Sequence, residues 1–266
     1  MPNLSRNALH ADLVQHLDQE LTRMARAQYE TAEFNLLFST PLTIERARLN
    51  AILTVYYGIN RRDCWAYVQA RSPYDVKKII WEHEKDELCF DSRGGADHQT
   101  LQFKEAKALG LTQEDVRNYA LPPLIVSCFY AWLHIASTFP WLGVLTAFHA
   151  LERRNSDKLI PGGGISRRWR DKLVNEAGVA LNQLASTNAH VQSDVDHADA
   201  IWNAIVPHIT DEFAVRTALE GAAASYKIDA AYRAASALSV ESGLIFGEPQ
   251  GGGRAAYSLS TSLIRL

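Results

Sequence analysis

Apolar residues return every three or four positions along nearly the whole chain, and no stretch alternates convincingly in twos over a strand's length. That period is the signature of amphipathic helices, so the sequence predicts an all-α bundle. Leu13, Leu17, Leu21 and Met24 carry the stripe in a first helix expected from about Ala8 to Phe38, closed by Pro41. Thr43 and Glu45 open a second that runs to about Ala70, and Ser72-Pro73 starts a third. The third carries YDVKKIIWEHEKDEL and is expected to stop near Ser92, where SRGGAD precedes a new helical run, HQTLQFKEAKALGL. Pro122-Pro123 and Pro140 delimit two apolar segments, Leu124 to Thr138 and Trp141 to Glu152, expected as central core helices. A long helix near Ser166, the helix carrying His190, and a last one from about Ile209 to Leu238 complete seven or eight. The sequence thus predicts one helical domain over 1–246 and a flexible glycine-rich tail over 247–266.

A chain of 266 residues can bury a substantial core as one domain. Hydrophobic residues make up 47% and charged residues 21%, an ordinary globular balance. No tract approaches the ~18 to 20 apolar residues that span a bilayer, so no membrane is expected. The first residues lack a basic then apolar secretory pattern, and the expected location is cytoplasmic. A formal charge of -3 without long like-charge runs argues against a nucleic-acid partner and for a small-molecule substrate, with homodimerisation left open. Cys64, Cys89 and Cys128 form no CxxC pair and read as ordinary thiols.

The sharpest local signal is HVQSDVDH. At ~100° per residue, His190, Asp194 and His197 fall at 0°, about 40° and about 340°, on one narrow helical face. Asp196 falls near 240° by the same arithmetic and is expected in solvent. Two imidazoles and a carboxylate on one face suit iron, manganese or zinc, and the remaining ligands must come from elsewhere. Glu152 ends an otherwise apolar helix, where a buried carboxylate is costly unless it is paired or metal-bound. His149 reads as a core histidine. Glu84 and Glu87 share a face of the third helix, either could turn inward, and His98 heads the next helix after the glycine loop. Three carboxylates and three histidines on four helices fit two metal ions better than one.

This pattern resembles the haem-oxygenase-like diiron oxidases and oxygenases. They share a seven-helix fold with haem oxygenase, thiaminase II and pyrroloquinoline-quinone synthase, and they bind iron directly. Members carry a Glu and a His on or just after the third core helix, a second Glu well downstream, and a His-x3-Asp-x2-His helix. Here DELCFDSRGGADH supplies Glu87 and His98, HALERR supplies Glu152 at 54 residues after His98, and HVQSDVDH supplies His190, Asp194 and His197. The resemblance covers roughly Glu45 to Tyr232, with Glu84 as the second candidate for the first carboxylate. It implies two Fe(II) ions held by these six residues, with Glu87, Glu152 and Asp194 as the catalytic carboxylates and dioxygen as cosubstrate. The implied chemistry passes through a peroxo-diiron(III) species to C–C cleavage, desaturation or N-oxygenation of a small carboxylate-bearing metabolite, an amino acid or a fatty acid.

The alternatives on the same scaffold are a metal-independent thiaminase II-like hydrolase, for which Cys128 would be the nucleophile, and a cofactor-free oxidase. Haem binding by His10 or His16 would leave the six-residue constellation unused. The PGGGIS segment before Ile165 has no following GK[ST] and reads as an ordinary connection rather than a phosphate loop. Tyr57, Tyr130, Trp132 and Phe148 are expected as pocket walls, and Arg61, Arg62 or Arg153 as the holder of a substrate carboxylate.

Overall fold

The computed structural model describes residues 2–239 in backbone and 7–239 in side chains. Among the described residues there are eleven α-helices, two short 3-10 turns and no strand. The expected tail, 247–266, lies outside the described residues, as do 240–246.

The expected first helix is two. Helix α1 (Pro2–Gln28) ends before Thr31, whose hydroxyl accepts from the Phe34 amide and opens α2 (Ala32–Ser39). A threonine cap takes up an orphan amide that the periodicity of Leu13, Leu17 and Leu21 does not register. Helix α3 (Ile44–Arg71) starts at the Thr43 cap, and α4 (Tyr74–Leu88) follows Pro73, ending a little before Ser92.

Asp97 accepts from the Thr100 amide and opens α5 (His98–Ala108), which places His98 at the first helical position. Between α4 and α5, Asp91 and Ala96 form an isolated bridge, closed by Gly95 at φ +72°, a conformation that favours glycine. A reciprocal Thr112/Asp115 box starts the short α6 (Gln113–Arg117).

The two apolar segments form α7 (Pro123–Thr138) and α8 (Trp141–Asn155), as expected. Helix α9 (Ile165–Asn175) is only 11 residues long, shorter than the periodicity suggested, because Gly178 at φ +70° turns the chain away. Helix α10 (Ala185–Ile205) carries His190, and α11 (Glu212–Leu238) begins at the Asp211 cap.

Helix α8 is the axis of the bundle and packs on α11, α10 and α1, while α3 packs on α7, α5 and α4. Leu17, Ile52, Leu53, Val144, Leu145 and Ile201 are sealed in one apolar core between them. Where α8 crosses α11, a Cβ on Gly221 would fall 1.9 Å from the Gly143 carbonyl oxygen, so the helices meet backbone to backbone. No described helix is long and apolar enough to cross a membrane.

Candidate metal centre

Four helices contribute to one buried cluster. Helix α4 brings Glu87, α5 brings His98, α8 brings Glu152, and α10 brings His190, Asp194 and His197. Of the six expected residues, Glu87, His98, His190 and His197 come within ligand distance of one another in two groups, and Glu152 and Asp194 line the cavity beside them. The facing of α10 follows the arithmetic of its sequence: Asp194 and His197 are buried, while the Asp196 side chain is 70% exposed and pairs with Arg93.

Glu87 is the common member of two groups whose potential ligand atoms lie within 4.8 Å of one another: His83, Glu87 and His197, and Glu87, His98 and His190. Its Oε1 lies 3.0 Å from His98 Nδ1 and 3.9 Å from His197 Nδ1, while Oε2 lies 2.9 Å from Arg62. Glu152 and Asp194 line the cavity that Glu87 and His190 also line, and Ser166 Oγ donates to Asp194 at 2.6 Å. Glu84 takes an outer position, bonded to Arg62 and to His83 Nδ1 at 3.0 Å each, which favours Glu87 as the inward carboxylate.

Two contributors are absent from the expected set. His83 is one helical turn before Glu87, and that spacing could have revealed it by the same reasoning used for His190 and Asp194. Asp91 had no such signal, because it lies in the loop and reaches His98 only through the bridge to Ala96. It is fully buried, and 2.8 Å from His98 Nε2.

Every imidazole in the cluster is held from outside through a ring nitrogen. His83 Nδ1 is at Glu84, His98 Nε2 at Asp91, His190 Nδ1 at the Ser186 carbonyl (2.8 Å), and His197 Nε2 at Asp86 (3.3 Å). The guanidinium of Arg93 bonds both Asp91 and Asp86, bracing the supports of two histidines at once. The opposite nitrogens turn inward: His83 Nε2 is buried without a hydrogen-bond partner, and His98 Nδ1 faces Glu87 Oε1 at 3.0 Å. An imidazole oriented by an outer acceptor, its other nitrogen free toward carboxylates, is the arrangement of a metal-ligating histidine. Such a donor set suits iron, manganese or zinc.

The charges agree. Burial works to raise Glu87, but Arg62 and His98 hold it well below the usual carboxylate range. Burial pushes Glu152 up to about 7, with the Asp194 charge adding to it, and raises Asp194 itself. Burial works to lower His98, yet Glu87 and Asp91 outweigh that and lift it to about 9. His83 is driven well below the usual imidazole value by burial and by His197.

Solved structures share this arrangement of helices. A domain of unknown function from Shewanella denitrificans, described as having a haem oxygenase-like fold, superimposes with a TM-score of 0.69 at 13% identity. The match covers 85% of this chain and 93% of that one. A TenA homologue from P. horikoshii gives 0.61 at 14% identity, covering 84% and 97%. The fold is haem-oxygenase-like. No protein-family model and no curated protein matches the sequence.

In this haem-oxygenase-like frame, a cavity of about 140 Å³ opens beside the cluster. Tyr57, Arg61 and Arg62 line it, as expected. Tyr130 does not: it is 50% exposed, on the outer face of α7. Arg153 does not either, because it turns to Asp18, Thr22 and the Trp202 ring. Trp132 and Phe148 pack against the Arg61 guanidinium. His149 is the expected core histidine, pushed down to about 3 by burial.

Proposed function

We propose that the chain is a non-haem diiron, dioxygen-dependent oxidase or oxygenase acting on a small carboxylate-bearing metabolite. The observation that carries this reading is Glu87, one buried carboxylate common to two histidine groups, with the histidines fixed from outside. His83, Glu87 and His197 would hold one iron, and Glu87, His98 and His190 the other. Glu152 and Asp194 add the carboxylates that lower the net charge of such a pair. Iron held there supplies dioxygen activation and the oxidising power for C–C cleavage, desaturation or N-oxygenation.

The protein's own part is positional. Asp91, Asp86, Glu84 and the Ser186 carbonyl fix the imidazole rings, Arg62 fixes Glu87 Oε2, and Ser166 fixes Asp194. The adjoining cavity seats the substrate and limits access of water to the cluster.

The hydrolase alternative needs an activated thiol. Burial pushes Cys128 up to about 11, and it is not among the cavity-lining residues, which supports the oxidase reading over the hydrolase.

The test is anaerobic loading of metal-free protein with Fe(II), followed by iron analysis and Mössbauer spectroscopy. About two irons per chain, magnetically coupled after exposure to oxygen, is the expected result, with His190→Ala losing iron while remaining folded. Folded protein that takes up no iron overturns the reading.

A further inference from the structure

The acids of the cluster are balanced by Arg62 and histidines, but the other end of the cavity is different. Arg61, Arg154 and Arg233 all line it, and Asp229 is the acid they have between them. Both Asp229 oxygens are engaged, by Arg154 at 2.7 and 3.0 Å and by Arg233 at 3.2 Å. Arg61 forms no salt bridge to any described residue. Its Nη2 donates to Asn60 Oδ1 at 3.2 Å and approaches Cys64 Sγ at 3.9 Å, while Nε and Nη1 have no partner. The residue is 4% exposed, and its guanidinium lies 4.3, 4.6 and 5.0 Å from the Trp132, Phe148 and Tyr57 ring centres.

A guanidinium buried without a carboxylate is unfavourable even among aromatic rings, and its unpartnered donors, Nε and Nη1, can each donate to a carboxylate oxygen. We infer that Arg61 is the residue that receives the substrate's carboxylate, and that the substrate is polar and of amino-acid size rather than a fatty acid. This deepens the reading given above and rests on it for the cavity being the substrate site. The space is small: about 140 Å³ lies below the roughly 300 Å³ at which ligand pockets usually begin, which favours a compact substrate. The lining is mixed: Asn50, Thr54, Gln102, Thr187 and Asn155 interrupt the apolar wall of Leu37, Leu151, Ile165 and Trp169 that a fatty-acid tail would need unbroken.

Calorimetric titration of the metal-free protein tests this without relying on turnover. The probes are each of the twenty proteinogenic L-amino acids, decanoate and inorganic phosphate. At least one amino acid is expected to bind, its carboxamide derivative not to bind, and decanoate and phosphate to give no heat of binding. Arg61→Gln is expected to weaken that amino acid about 100-fold and Arg61→Lys about tenfold. Thermal unfolding separates binding from scaffolding: Arg61→Met is expected to unfold at or above the wild-type temperature, because it removes an unpaired charge. No amino acid binding, equal binding to Arg61→Gln, preference for decanoate or phosphate, or a lower unfolding temperature for Arg61→Met would each overturn the assignment. Iron content measured on the same preparations keeps the two readings apart: iron uptake without amino-acid binding sinks only the Arg61 assignment. Failure of iron uptake sinks the metal reading.

Discussion

Asp91 and His98 form a pair sealed from solvent, with Asp91 Oδ2 2.8 Å from Nε2 and neither side chain more than 1% exposed. The contact leaves Nδ1 as the nitrogen that faces Glu87. Replacing Asp91 by Asn keeps the shape but removes the charge that favours a protonated Nε2. Iron affinity is expected to fall about 10-fold to 100-fold, read by chelator competition, with little change in circular dichroism.

Arg93 touches both Asp91 and Asp86, which support His98 and His197 respectively. Arg93→Gln is therefore expected to weaken both iron positions together, whereas His83→Ala is expected to lower iron from about two to about one per chain. Iron titrations of the two variants distinguish these patterns.

Metal uptake should release protons. Burial, reinforced by Asp194, pushes Glu152 up to about 7, so below that pH its proton must leave before it can bind metal. Iron affinity is expected to fall as the pH drops through about 7, accompanied by acidification of a weakly buffered solution. The raised value also sets a sign for stability. The folded metal-free protein binds this proton more tightly than the unfolded chain, so this carboxyl's contribution to stability falls as pH rises from the ordinary carboxylate range toward 7. A urea series on metal-free wild type and Glu152→Gln checks it: the fall over that range should be shallower in the variant.

Asp229 and Arg154 are paired in the core with side chains 0% and 1% exposed. Burial works against ionised Asp229, but Arg154 and Arg233 hold it below its ordinary value. Its contribution is therefore present above the unfolded carboxylate's pKa and lost as the pH falls through the lower folded one. Asp229→Ala would leave Arg154 without its partner and is expected to cost about 3 to 5 kcal/mol in urea unfolding.

Gly221→Ala places a methyl against the Gly143 carbonyl, backbone against backbone, and neither helix can yield locally. A loss of about 3 kcal/mol or more is expected in urea unfolding at neutral pH.

The helical class was legible because Leu13, Leu17 and Leu21, and the apolar runs of α7 and α8, repeat at the helical period. The convergence of Glu87, His98, Glu152, His190, Asp194 and His197 was anticipated, since three share a face of α10 and the others matched a family spacing. His83 was readable from its place one helical turn before Glu87. Asp91 was not readable: its approach to His98 depends on a loop bridge, which has no period. The split of α1 from α2 turned on the side chain of Thr31, and the cage around Arg61 on helices α3, α7 and α8 meeting. Helix periodicity reports which way a side chain faces, not which partner it finds.

The bare crossing of α8 and α11 acts as a fulcrum for Glu152. Glu152 sits nine residues along from Gly143, a lever arm of about 13 Å at 1.5 Å per residue. A tilt of only about 5° at that pivot would swing the carboxylate by about 1 Å, enough to break a contact made at ligand distance. The absence of two methyl groups at that crossing thus helps to hold the aim of the Glu152 carboxylate.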